Sequence, residues 1–152
     1  MTRLQAAGVV PAPQAEVFEF LSDLGNHWVV AGRWIEVVAL AGNGDGGRVR
    51  IRGPLGLRRT AVTTVDRVEP PARLEGSARL GRTEARVAWT LRPREGDRTE
   101  VQLAATVVRA APLDRAVLAL GGAAWLRRLF AVTLAHLAAR FAAEAAATSV
   151  RA

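Results

Sequence analysis

The spacing of hydrophobic positions along the chain changes twice and divides it into three regions. Leu4 to Val10 is short and mostly apolar, the pattern of a first strand. Pro11-Ala12-Pro13 breaks it, and Pro13 suits the first turn of a helix, where a missing N–H has no partner to lose. Val17, Phe20, Leu21 and Leu24 then recur at three- and four-residue spacing, which predicts a short amphipathic helix. Ser22 and Asp23 are placed to cap a second one over roughly Leu24 to Ala31.

From Trp34 the period falls to two, the signature of half-buried strands. Trp34 to Leu40 is apolar but for Glu36, and Gly42 to Gly47 reads as a hairpin loop. Arg48 to Arg52 alternates strictly, and Gly53-Pro54-Leu55-Gly56 turns the chain into a threonine- and valine-rich strand, Arg58 to Val68. Alternation leaves open which face of that strand points inward. After Pro70-Pro71, Leu74, Gly76, Ala78 and Leu80 share one face of the next strand, and Gly81 is the turn. Thr83, Ala85, Val87, Trp89 and Leu91 then oppose Arg82, Glu84, Arg86 and Arg92. Pro93 to Arg98 is expected to be a loop, with Val101, Leu103, Ala105 and Val107 aligned in the last strand.

Pro112 opens one long helix predicted to run to about Ala146. Leu126, Phe130, Leu134, Leu137 and Phe141 form a narrow apolar stripe on it, while Ala116 to Leu126 has no polar side and contains Gly121-Gly122, a place for a bend. The order is strand, two short helices, six strands, long helix: an α+β chain, expected to be a single domain over 1-152. No internal repeat or linker interrupts it.

Composition narrows the chemistry. The 152 residues contain no cysteine, so disulfides, thiol nucleophiles and thiolate metal sites are excluded. The net charge of +7 rests on arginine alone, since there is no lysine; arginine-only usage is what codon bias in a GC-rich genome produces. Arg48, Arg50, Arg52, Arg79, Arg82, Arg86 and Arg92 oppose the apolar residues of their strands and read as the solvated face of a sheet. Aromatic residues do not interleave with them, so no nucleic-acid partner is expected. No signal peptide is evident, and the longest uncharged apolar run, Ala116 to Leu126, is about half of the roughly 20 residues a bilayer span needs. A cytoplasmic, bacterial protein is the expectation.

This order, with three segments, resembles the superfamily of START, polyketide cyclase/dehydrase and Bet v 1-like (SRPBCC) proteins. The segments are Pro11 to Asp23 after the first strand, Val68 to Leu74 before the fifth, and the terminal Leu126 to Phe141 helix. The resemblance implies a helix-grip fold, a curved seven-stranded antiparallel sheet around the long helix with an apolar cavity between. A strongly curved sheet and one helix cannot close on each other as two flat layers do, so space remains. The residues expected on its wall are Val87, Trp89, Leu91, Leu103 and Ala105 from the sheet, with Leu126, Phe130 and Leu134 from the helix.

Catalytic chemistry is sparse. Of two histidines, His136 lies off the helix stripe, a flank or surface position, and His27 lies in the second short helix, which in the resembled family sits near the cavity mouth. His27 is therefore the candidate catalytic residue, with capping or surface packing the competing role. Thr60, Thr63 and Thr64 are candidate hydroxyl donors, and there is no tyrosine. No carboxylate pair and no metal-ligand spacing is present, and no cofactor is expected. The expected function is binding or carriage of a small hydrophobic molecule (lipid, polyketide or isoprenoid-like), with catalysis left open. The alternative is a polyketide cyclase or dehydratase, in which desolvation and one or two donors direct an enolate. A third reading rests on Leu118, Trp125, Leu129 and Val132, a second apolar strip on the terminal helix. Left exposed, and flanked by Arg115, Arg127, Arg128 and Arg140, it would serve a homodimer or a membrane surface; covered by the short helices or a strand edge, it would be ordinary packing.

Overall fold

The computed structural model describes residues 2–40, 46–53, 56 and 58–151. Strand β1 (Thr2–Val10) leads through helices α1 (Gln14–Ser22) and α2 (Leu24–Ala31) into β2 (Ile35–Leu40). A meander follows: β3 (Gly46–Arg52), β4 (Arg58–Glu69), β5 (Arg73–Leu80), β6 (Thr83–Arg94) and β7 (Arg98–Arg109). Helices α3 (Pro112–Val117) and α4 (Ala123–Arg151) close the chain. All pairings are antiparallel, in the order β1-β7-β6-β5-β4-β3-β2. The chain therefore starts at one edge, crosses by α1 and α2 to the other, and works back until β7 lies beside β1. This is the α+β helix-grip arrangement expected from the sequence.

The sheet curves where its register slips. Bulges leave one extra residue in β2 (Val38), in β4 (Asp66) and in β7 (Val108, opposite the Glu84–Ala85 step of β6). Such bulges bend the strand that carries them. Gly76 pairs with Val65 at the β4 bulge, and a Cβ there would lie 2.4 Å from the Thr64 carbonyl oxygen, so only glycine admits that close approach.

Several boundaries differ from the sequence reading. Pro13 is the residue that precedes α1, not part of its first turn. Asp23 caps α2, accepting from the Gly25 N–H at 2.9 Å, while Ser22 donates back to the Phe18 carbonyl. Trp34 falls in a 3-10 turn, Gly32–Trp34, ahead of β2. Of the expected glycine loop, Gly46 and Gly47 belong to β3 and the rest lies outside the described residues, as do Pro54 and Leu55. Pro93 and Arg94 continue β6, and the loop shrinks to Glu95–Asp97. The proline is tolerated because β5 begins at Arg73, opposite Thr90, so the end of β6 has a strand neighbour on one side only.

The largest difference lies in the terminal helix, expected as one piece. It breaks at Leu120 and Gly121, where Gly121 takes φ 115°, a conformation side-chain-bearing residues resist. The stretch Pro112–Arg151 is, by length and composition, sufficient to cross a membrane, which a count of uncharged runs misses. In this fold α4 packs on β1, β7 and α2. Its Leu134, Leu137 and Phe141 join Val17, Phe18 and Leu21 of α1 and Leu91, Val101 and Leu103 of the sheet in one core. Within it Thr99 donates to the Ala12 carbonyl at 2.8 Å, so the buried hydroxyl is satisfied.

Candidate ligand cavity

Between the concave face of the sheet and the helices lies a cavity of about 330 Å³. Its sheet wall carries Leu74, Ala85, Val87, Trp89, Leu103 and Ala105, and its helical wall Leu118, Trp125, Leu126, Leu129 and Phe130. Six of the eight residues expected on the wall are brought together there: Val87, Trp89, Leu103, Ala105, Leu126 and Phe130. Leu91 and Leu134 are not on it. Both are buried in the core beside the cavity, at 2% and 3% exposure. Alternation sets the face of Leu91 correctly, but α1 closes over that end of β6, and Gln14 of α1 donates to the Leu91 carbonyl at 3.1 Å. Leu134 sits over Gly8 of β1, whose lack of a side chain lets α4 approach: a Cβ there would lie 3.5 Å from that of Leu134.

Three of the four residues of the second apolar strip, all but Val132, also face the cavity. Leu118, Trp125 and Leu129 border the cavity, and Trp125 meets Trp34 edge-on, with centroids 6.1 Å apart. The break at Gly121 separates this strip's first residue from the rest, so α3 and α4 need not share one helical face. Of the four residues only Leu129 is buried; Leu118, Trp125 and Val132 are half-buried.

Polar groups are few and placed at identifiable points. His27 lies on the wall, its ring 5.2 Å from that of Trp89, and its Nε2 lies 2.5 Å from the Leu21 carbonyl oxygen. A carbonyl only accepts, so Nε2 carries the proton and Nδ1 is the basic nitrogen. Burial pushes the His27 pKa below its ordinary 6.5, against the opposing effects of the Leu21 hydrogen bond and the Asp23 charge. Because the unfolded chain then binds a proton that the folded chain refuses, stability is complete above about 6.5 and falls as pH drops below it. Urea unfolding across this range is expected to show that decline, and His27→Gln to flatten it; an unchanged slope in the variant assigns the decline to other groups. His136 stays outside the cavity, with Nδ1 donating to the Val30 carbonyl at 2.8 Å, and ties α4 to α2.

The richest polar cluster was not legible in the sequence. Arg59, in phase with Ala61 and Thr63 on the inner face of β4, donates to Asp114 of α3. Thr83 donates to the other carboxylate oxygen of Asp114 and accepts the Ala111 N–H at 3.1 Å. Asp114 is buried, and all three side chains border the cavity. Two signals pointed here: Thr83 shares the apolar face of its strand, and Arg59 follows once Thr63 is known to face inward. Asp114 carried no signal beyond its place in a first helical turn. Of the candidate threonines, Thr63 is buried and donates to the Gly47 carbonyl at 3.3 Å, whereas Thr60 is exposed and exposed Thr64 donates to Asp66. Among the described residues no three His, Asp or Glu side chains are grouped to hold a metal ion.

Comparison with known proteins agrees with this architecture. The protein TTHA0849 from Thermus thermophilus superposes with a TM-score of 0.68 at 20% identity, covering 94% of this chain and 99% of its own. A START superfamily protein from Mycobacterium smegmatis gives 0.58 at 14% identity, covering 89% and 98%. The ZhuI aromatase/cyclase from Streptomyces sp. R1128 gives 0.66 at 17% identity, covering 92% and 93%. At these identities the likeness shows the fold alone. No curated protein matches the chain in sequence. A sequence model of the family described as polyketide cyclase / dehydrase and lipid transport matches residues 1–142. The chain belongs to that family, and it has the family's seven-stranded sheet and long terminal helix around an apolar cavity.

Proposed function

We propose that this protein binds and carries a small hydrophobic molecule in the cavity between the sheet and α4. The observation that carries the reading is the cavity itself. Protein interiors pack as densely as organic crystals, with few voids larger than a water molecule. A space of about 330 Å³ walled by valine, leucine and tryptophan is far outside that norm. Apolar clefts with a few placed polar groups are the usual form of small-molecule sites.

Native mass spectrometry of the gently purified protein, followed by organic extraction, tests it. The expected result is one apolar molecule per chain, or uptake of a neutral solvatochromic dye by protein that arrives empty. A clean mass with no dye uptake counts against carriage.

His27 supports a second reading, that of a cyclase or dehydratase. A neutral imidazole on an apolar wall has the protonation state a general base needs near neutral pH. The same extraction separates the two readings. A carrier returns its molecule unchanged after incubation, whereas a dehydrating cyclase returns one lighter by water.

A further inference from the structure

Four ionisable side chains belong to residues that border the cavity among those described: His27, Arg59, Glu75 and Asp114. Glu75 is turned to the other face of β5, where it pairs with exposed Arg73. Arg59 and Asp114 neutralise each other by direct contact. His27 is neutral at pH 7, since burial holds its pKa below the ordinary value. The charges of the described wall therefore sum to zero, although the chain as a whole carries +7.

We propose that the cavity selects an uncharged amphiphile, with its apolar body against the sheet and a hydrogen-bond-accepting oxygen (ketone, ester or hydroxyl) at the Arg59–Thr83–Asp114 end, and discriminates against carboxylates. This rests on the binding reading above. Arg59 is partly open to solvent, but a carboxylate drawn past it into the apolar cavity loses its hydration, and it regains that loss only if a cation is available to meet it. The one cation on the described wall is Arg59, and Asp114 already holds it. Asp114 cannot yield the guanidinium cheaply, because it is buried and also receives the Thr83 hydroxyl. A neutral oxygen makes no such demand. A guanidinium has five N–H donors in a planar fork. Asp114 and, at 3.5 Å, the Leu80 carbonyl are the acceptors Arg59 meets among the described residues, so an ester or ketone oxygen adds to the array without displacing either.

Tryptophan fluorescence gives a direct readout, since Trp89 and Trp125 border the cavity and the chain has no tyrosine to interfere. The protein is titrated at neutral pH with methyl dodecanoate below its solubility limit and with dodecanoate below its critical micelle concentration. The ester is expected to bind at least about tenfold more tightly. In Asp114→Asn the guanidinium loses its partner charge, and the ester-to-carboxylate affinity ratio is expected to fall by at least about tenfold. Equal affinity, or tighter binding of dodecanoate by the wild-type chain, overturns the inference while leaving the binding reading intact. Failure of both probes to bind overturns the binding reading and the inference with it. An unchanged ratio in a folded Asp114→Asn protein shows that Asp114 is not the discriminating group. If that variant does not fold, the wild-type ratio decides alone.

Discussion

Ala105→Trp is expected to abolish ligand uptake while leaving the fold intact. Ala105 lies in β7 between Leu4 of β1 and Val87 of β6, at the middle of the concave face, and it borders the cavity. An indole there projects into space that a ligand must occupy. Small-molecule sites bury most of their ligand's surface, so a wall residue of that size leaves no alternative pose. A fall of at least about 100-fold in affinity for any apolar probe is expected, measured by dye titration or extraction. Circular dichroism and thermal unfolding should stay near wild type, because the new ring fills a void instead of displacing packed neighbours. Undiminished uptake by a folded variant would mean that binding takes place elsewhere on the molecule.

Leu137→Ala has the opposite signature. Leu137 lies on the stripe of α4, is wholly buried, and is part of the core rather than the cavity wall. Its removal forfeits transfer energy and leaves a hole that α1, α4 and the sheet can only partly collapse into. Truncations of this kind cost about 2–5 kcal/mol. Against a typical total of about 5–15 kcal/mol, this is the largest single-residue stability loss expected here. Urea denaturation gives the value, and the folded fraction should still take up ligand with near wild-type affinity. A loss under about 1 kcal/mol would mean that the helix is held mainly by other contacts. Together the two substitutions separate the two apolar volumes of the molecule: one filled by its own side chains, the other not.

That separation marks the limit of what pattern reading reaches. Alternation places Val87, Trp89, Leu103 and Ala105 on the inner face, and the helical stripe places Leu126 and Phe130 opposite them. The same rules place Leu91 and Leu134 with them, because periodicity reports which face a side chain takes and not how closely the facing layer approaches. Gly8 and Gln14 decide that approach, the first by letting α4 settle on β1 and the second by fastening α1 to β6. The strip of Leu118, Trp125, Leu129 and Val132 reads in the sequence only as set apart from the first stripe, for a related reason. A wheel drawn through an unbroken helix cannot register the turn at Gly121, although the paired glycines mark the place.

The sequence by itself determined the order of elements, the antiparallel meander, the solvated arginine face and the family. Each of these depends on local periodicity, turn residues and short segments, which are written residue by residue. Only the tertiary structure decided where packing stops and the cavity begins. It alone brought Arg59, Thr83 and Asp114 together from β4, β6 and α3, and set His27 against Trp89. These contacts join residues up to 62 positions apart, as with His27 and Trp89. Their existence depends on the curvature of the sheet and the break in the terminal helix, and no local pattern encodes how far two distant elements stand from each other.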